Sequence, residues 1–187
     1  AAAKNGRVIF SEGEYLSGNL VLKSGVTLHL KEDAVLLGST NPAHYQTLDF
    51  EDMPVSPKTD DNSKLALLLA HKKKNISIKG AGTIDGQGRE LALTIDSLHH
   101  KGIRIDPNYN TWHNRPNETV RPKIINFAKC ENINIEDITI KNASCWVQSY
   151  ELCNNLVINN VKVHSRAFWN NDGMDITDSK NVRITNC

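Results

Sequence analysis

One four-residue pattern constrains this chain more than any other feature: Asn, apolar, any residue, apolar. It recurs as Asn75-Ile76-Ser77-Ile78, Asn132-Ile133-Asn134-Ile135, Asn155-Leu156-Val157-Ile158 and Asn181-Val182-Arg183-Ile184, the first interval more than twice as long as the other two. At one fixed offset after each Asn stands a turn former: Gly80, Asp137, Asn160 and Asn186. Short apolar stretches, Ile138-Thr139-Ile140 and Val161-Lys162-Val163, follow two of them. Trp146 and Trp169 stand at the same distance after Asn132 and Asn155. A unit is therefore three short strands of period two, separated by polar turns. Units this short cannot make a propeller blade of about 40–45 residues, and the Leu ladder and helical side of a leucine-rich repeat are missing. With Ile and Val dominant and no helix periodicity in the repeat, the predicted fold is all-β: a right-handed parallel β-helix with one coil per unit. Identical amides stacked at the inter-strand spacing of about 4.8 Å can bond up and down. Asn75, Asn132, Asn155 and Asn181 are therefore expected in one column, with Ile78, Ile135, Ile158 and Ile184 inside.

The long first interval is one coil with an insertion. Its strands are predicted at Asn75 to Ile78, at Ala81 to Ile84 and at Lys123 to Phe127, which leaves residues 85–121 as an excursion. The preceding coil has strands at Val26 to Leu30, Ala34 to Leu37 and Leu65 to Leu69, with residues 39–64 as an insertion of the same kind, so that 39–64 is the first excursion along the chain and 85–121 the second. Both leave one edge of the solenoid, and long insertions on one face of a repeat protein commonly shape its binding face. Residues 1–187 are read as a single β-helix domain and as an interior piece of a longer protein, with the tail of a helix expected at Ala1 to Lys4.

Composition removes several function classes. Lys plus Arg is 22 and Asp plus Glu is 21, a net charge of 22 − 21 = +1. That is not the basic field of a nucleic-acid-binding protein. The longest apolar run, Leu65 to Ala70, is far too short for a membrane span. The four cysteines lack Cys-x-x-Cys spacing and the seven histidines lack metal spacing, so no metal or cofactor is predicted. Cys130 and Cys153 hold equivalent places in adjacent coils. The strand spacing permits a disulfide, and in-register stacking favours two thiols, so both stay open. Gly80-Ala81-Gly82 precedes a strand, not a helix, and reads as a turn rather than a dinucleotide loop.

Trp169-Asn170-Asn171-Asp172-Gly173-Met174-Asp175 is the sharpest local feature. Alignment with Trp146-Val147-Gln148-Ser149 puts Asn170 to Asp172 on a third strand, beside the edge that carries the excursions. On spacing alone the segment reads either as an Asn/Asp-rich turn or as a site for a water or cation.

That segment resembles the Asn-Thr-Asp-Gly-x-Asp motif of the polygalacturonases, glycoside hydrolase family 28. Gly80-Ala81-Gly82-Thr83-Ile84-Asp85-Gly86-Gln87-Gly88 resembles the family's Gly-x-Gly-x-Ile-Asp-Gly-x-Gly. Arg121-Pro122 with Lys123 to Phe127 resembles its Arg-Pro strand, and Asn142-Ala143-Ser144-Cys145-Trp146 its Asn-Ser-Pro-x-Trp. The order agrees too, over most of the chain outside the excursions. Two residues depart: Asn171 stands for Thr and Cys145 for Pro. The family's paired Asp, Gly-His-Gly and Arg-x-Lys motifs are not among these residues and are expected after Cys187. Residues 1–187 alone are thus expected to be an incomplete enzyme.

The resemblance implies an inverting glycosidase that cleaves α-linked galacturonic acid or a related acidic, pectin-type polysaccharide. Its place is extracellular or periplasmic, its state a monomer, and it needs no cofactor. Asp172 carries over as the carboxylate that activates water, expected on the outer face of a third strand at the floor of a groove. Asp175 and Asn170 carry over as substrate-binding residues. Trp112, His113 and Arg115 of the excursion at 85–121 join them on chemistry: aromatic faces stack on sugars, and Arg matches a uronate carboxylate bidentately. His99-His100 and Lys72-Lys73-Lys74 read as solvated surface. Two rivals remain at this point: a Ca²⁺-dependent pectate lyase and a non-catalytic glycan-binding β-helix.

Overall fold

The structure, a computed structural model, describes residues 5–48 and 64–187. Among them, sixteen strands stack into three parallel sheets. The first sheet orders β1 (Gly6–Phe10), β4 (Val26–Leu30), β7 (Lys74–Lys79), β10 (Glu131–Glu136), β13 (Asn154–Asn159) and β16 (Lys180–Thr185). The second orders β2 (Gly13–Ser17), β5 (Ala34–Gly38), β8 (Thr83–Asp85), β11 (Thr139–Lys141) and β14 (Lys162–His164). The third orders β3 (Leu20–Val21), β6 (Ala66–His71), β9 (Lys123–Ala128), β12 (Gln148–Glu151) and β15 (Asp175–Thr177). Successive strands go to successive sheets, so the chain winds as the right-handed parallel β-helix that the repeat predicts.

Register explains why the repeat is apolar where it is. Leu28, Ile78, Ile135, Ile158 and Ile184 pair in one column of the first sheet. The second sheet aligns Leu36, Ile84, Ile140 and Val163, and the third aligns Ala70, Phe127, Tyr150 and Ile176. These columns line the interior, because alternate residues of a strand face opposite sides. Ile78, Ile135 and Ile158 are fully buried, as expected. Ile184 is not: it lies on β16, the last strand of its sheet, and stays 43% exposed with strand neighbours on one side only.

The asparagine ladder holds over three residues, joined by two rungs. Asn132 Nδ2 donates to Asn75 Oδ1 and Asn155 Nδ2 donates to Asn132 Oδ1, each at 3.0 Å. The third rung slips: Asn181 Nδ2 donates to Asn154 Oδ1 at 2.9 Å. A second cause is not legible in the pattern. Asn75, Asn132, Asn155 and Asn181 all have φ between 53° and 59°, the left-handed region where Asn is the best tolerated residue after Gly. Asn132→Ala should therefore lose both rungs and strain the backbone, about 1–3 kcal/mol in total. Asn132→Gly should lose the rungs without the strain and melt above the Ala variant. Urea titration of the two decides; equal midpoints remove the backbone half of the explanation.

Helix α1 (Gly88–His100) occupies the start of the second excursion, where the strand repeat predicts no helix. It buries Gly88, Leu91, Ala92 and Ile95, the i, i+3, i+4, i+7 stripe of an amphipathic helix. The Gly-rich motif seats it. Gly88 N donates to Asn142 O at 2.7 Å, and a Cβ on Gly88 would come within 2.1 Å of Ala143 C, so only glycine fits there. Asp85 sets the same corner, accepting Asn142 Nδ2 at 3.0 and 3.1 Å and Gln87 N at 2.9 Å.

The expected helix tail at Ala1 to Lys4 and residues 49–63 of the first excursion lie outside the described residues. Among the described cysteines, Cys130, Cys145, Cys153 and Cys187 are all free thiols.

Candidate active site

The last coil does not stack on its neighbour as the sequence alignment predicts. Thr139 pairs with Lys162, but Ser149 pairs with Asp175, a longer step along the chain. Three residues have been added between β14 and β15, in the segment 165–171. Trp169 therefore has no register partner in Trp146. Asp172 takes that place instead, in the turn before β15 rather than on a third strand.

Three consecutive residues of the coil beneath hold Asp172 and its neighbour. Trp146 Nε1 donates to Asp172 Oδ2 at 3.1 Å, Val147 N to Asp172 O at 2.9 Å, and Gln148 Nε2 to Gly173 O at 3.2 Å. Gln148 is fully buried and is itself fixed by Tyr150 Oη, which donates to Gln148 Oε1 at 2.9 Å. Asp172 is exposed. Asp175 is half-buried and alternates with Ile176, so it sits on the outer face of the third sheet, in a row with Ser149 and Asn126. Glu151 shares that face, and burial pushes its carboxyl above the usual carboxylate range. A raised folded pKa means that ionising Glu151 works against the fold. Its favourable contribution is complete below the unfolded pKa of about 4.3 and is lost as pH rises through the folded value. Glu151→Gln should then raise the thermal midpoint at pH 7, with the gain gone at pH 4; a gain that is equal at both pH values removes this account.

The added segment is pinned at two places. Asn171 is the inner pin. Its Oδ1 accepts from Ser165 Oγ at 3.0 Å and Ala167 N at 2.8 Å, and its Nδ2 donates to Ala143 O and Cys145 O at 3.1 and 3.0 Å. The Asn found in place of Thr is thus turned toward backbone, as a local tie. Cys145 is buried among these groups, and burial pushes its thiol up to about 11.

The outer pin is a pair of arginines from the second excursion. Arg121 Nη2 and Arg115 Nη1 both donate to Asn170 Oδ1 at 2.7 Å. Arg121 Nη1 also donates to Trp169 O at 2.8 Å and to Ser144 O at 2.5 Å, and its guanidinium lies 5.2 Å from the Phe168 ring centroid. Glu118 bridges the two cations, 3.0 Å from Arg115 and 3.4 Å from Arg121. Buried Asp106 closes the excursion by accepting Asn117 N at 2.6 Å and Asn108 N at 2.9 Å.

Of the predicted site residues, Asn170, Arg115 and His113 come together. The Arg115 guanidinium covers the Trp169 ring at 4.6 Å, and His113 lies 5.2 Å from the same ring. Asn170 Oδ1 is taken by two guanidiniums, so the group it has left to offer is its Nδ2 donor. Trp112 stands apart, 89% exposed. Trp146, Lys123 and Arg121 carry the site's geometry, and the sequence reading misses them as site residues. A signal exists for each: all three lie in stretches that resemble family motifs. Among the described residues no three His, Cys, Asp or Glu side chains converge as a metal site would need. No helix among them is long and apolar enough to cross a membrane.

Against known proteins, the family model described as Glycosyl hydrolases family 28 matches residues 11–187. A polygalacturonase of Ralstonia solanacearum is 40% identical over 83 residues, covering 44% of this chain and 16% of the relative. An endo-polygalacturonase of Pectobacterium carotovorum subsp. carotovorum is 29% identical over 186 residues, covering 93% of this chain and 42% of the relative. Among solved structures, a family 28 exopolygalacturonase of Yersinia enterocolitica superposes with a TM-score of 0.74 at 23% identity, over 100% of this chain and 38% of that one. That likeness shows the β-helix fold. The chain thus spans less than half the length of these proteins.

Proposed function

The chain belongs to glycosyl hydrolases family 28, and from that premise we propose that its protein hydrolyses α-linked galacturonic acid, or a related acidic polysaccharide of pectin type, with inversion at the anomeric carbon. The observation that carries this reading is the exposed Asp172 carboxylate, with one oxygen held by Trp146 at the mouth of the third sheet. Asp172 takes a proton from the attacking water. A second carboxylate, expected after Cys187, protonates the leaving oxygen from the far side. Inversion needs the acid and base about 6.5–9.5 Å apart, so that a water fits between base and sugar. Asp175 and the Asn170 amide contact the sugar, His113 and Arg115 border the same subsites, and Trp112 offers its exposed ring to a more distant part of the polymer. The single β-helix domain acts as a monomer, outside the cytoplasm, where its polymer substrate is found.

Two measurements on the full-length protein test this. Release of reducing ends from polygalacturonate, lost in Asp172→Asn, is expected. Proton NMR of the first product should show the β-anomer from the α-linked substrate. A first product of α configuration overturns inversion. A 4,5-unsaturated product overturns hydrolysis altogether.

A further inference from the structure

We propose that Trp146 is a positioning residue for the reaction, whose indole N–H sets the rotation of the Asp172 carboxylate so that Oδ1 is presented to water; this rests on the reading of Asp172 as the base. Among the described residues, Trp146 Nε1 is the one side-chain donor to that carboxylate, at 3.1 Å. The donor cannot drift. Trp146 sits one coil below Asp172 in register, and Lys123, the register partner in the coil below that, is buried with its Nζ 5.4 Å over the indole ring. The next residue, Val147, anchors the Asp172 backbone through its N–H. One dipeptide thus fixes both ends of the same residue. With Oδ2 accepting from the indole, a syn lone pair of Oδ1 is aimed in one direction only.

Packing alone does not ask for this. Trp146 is half-buried, so part of its ring faces solvent and core filling does not account for all of it. What only indole supplies here is an N–H directed at an exposed carboxylate. A general base works when its lone pair lies within hydrogen-bond reach of the water proton, and small misplacements cost large factors in rate.

The test is a double-mutant cycle in the full-length protein on polygalacturonate. Trp146→Phe should lower kcat about 10-fold or more with KM changed less than about 2-fold, because the lost group acts on the base and not on the sugar. In the Asp172→Asn background the same change should do nothing to kcat. Trp146→His returns a ring N–H and should recover several-fold over Trp146→Phe, with thermal midpoints recording folding independently; should Trp146→Phe fail to fold, Trp146→His against Trp146→Leu gives the same comparison. The proposal is overturned by unchanged kcat in Trp146→Phe, by an equal loss in the Asp172→Asn background, or by a rise in KM alone, which would make Trp146 a sugar platform. Near-normal kcat in Asp172→Asn itself would instead sink the proposed function.

Discussion

Asp172→Asn is expected to lower kcat by about 10²–10⁴, the usual size of a general-base contribution, and to leave KM within a few-fold. The substitution is nearly isosteric. The backbone tie from Val147 N does not involve the side chain, and the amide oxygen of Asn can still accept from Trp146 Nε1. The shape of the turn should therefore survive while the proton acceptor is lost. Binding should survive too, since the sugar is held by other groups on the third sheet and the second excursion. Thermal midpoints of the two proteins should agree closely, because the side chain is exposed and the Asn amide keeps the hydrogen bond to the indole. Steady-state kinetics on polygalacturonate gives the answer. Retained kcat would return Asp172 to the plainer reading of an Asn/Asp-rich turn residue.

The parts of this molecule that are legible in sequence are those governed by local alternation. Val26 to Leu30 falls on β4 residue for residue, and Lys123 to Phe127 misses β9 only at Ala128. Period-two patterning and a stacked interior leave few other solutions. What is missed lies where the repeat is interrupted. Trp146 and Trp169 share the same offset from their asparagines, so alignment pairs them, yet the register has slipped by the time Asp175 meets Ser149. Three added residues before β15 shift everything in the last coil, and a matching Trp on each side hides the shift. Helix α1 does carry its stripe, Gly88, Leu91, Ala92 and Ile95, inside a stretch that reads as irregular because its neighbours are strands. The left-handed asparagines show a different limit. The pattern predicts the column, but φ is a property of the turn, and Lys72, Lys129 and Leu152 adopt the same conformation three residues earlier without any sequence mark.

Arginines in the second excursion illustrate how tertiary context reassigns a side chain. Read alone, Arg115 suggests a uronate contact. In the fold its Nη1 goes to Asn170 and its Nη2 to Glu118, with the guanidinium over Trp169. Those bonds connect an insertion in one coil to a loop 55 residues later. The excursion and the Asp172 segment are thus one construction, in which the first helps to set the position of the second.

Arg121 is the centre of that construction, and Arg121→Ala should destabilise the protein by about 3–5 kcal/mol, the cost of breaking a buried ionic network. The side chain is fully buried; burial pulls its pKa down from the usual guanidinium value, an effect that the nearby Glu118 carboxylate opposes. Its donors reach Pro116 O, Ser144 O, Trp169 O and Asn170 Oδ1, drawing together the excursion, the coil beneath and the added segment. Truncation takes these donors from three backbone carbonyls, of which the Pro116 and Ser144 oxygens are bonded in buried surroundings and are costly to leave unmatched. Glu118 keeps Arg115 as partner, which caps the loss at the upper figure. Arg121→Lys keeps the charge but has no planar fork, so it cannot serve all four acceptors and should fall between Ala and the parent. The urea midpoint should drop with the slope unchanged if the fold is otherwise intact. Because Phe168 to Asn170 lead directly into Asp172, kcat should fall in both variants even far below their melting points, more in Ala than in Lys. An Arg121→Ala protein with parental stability would mean that the added segment holds its shape without this arginine, and that the bond from Arg115 to Asn170 suffices to tie it to the second excursion.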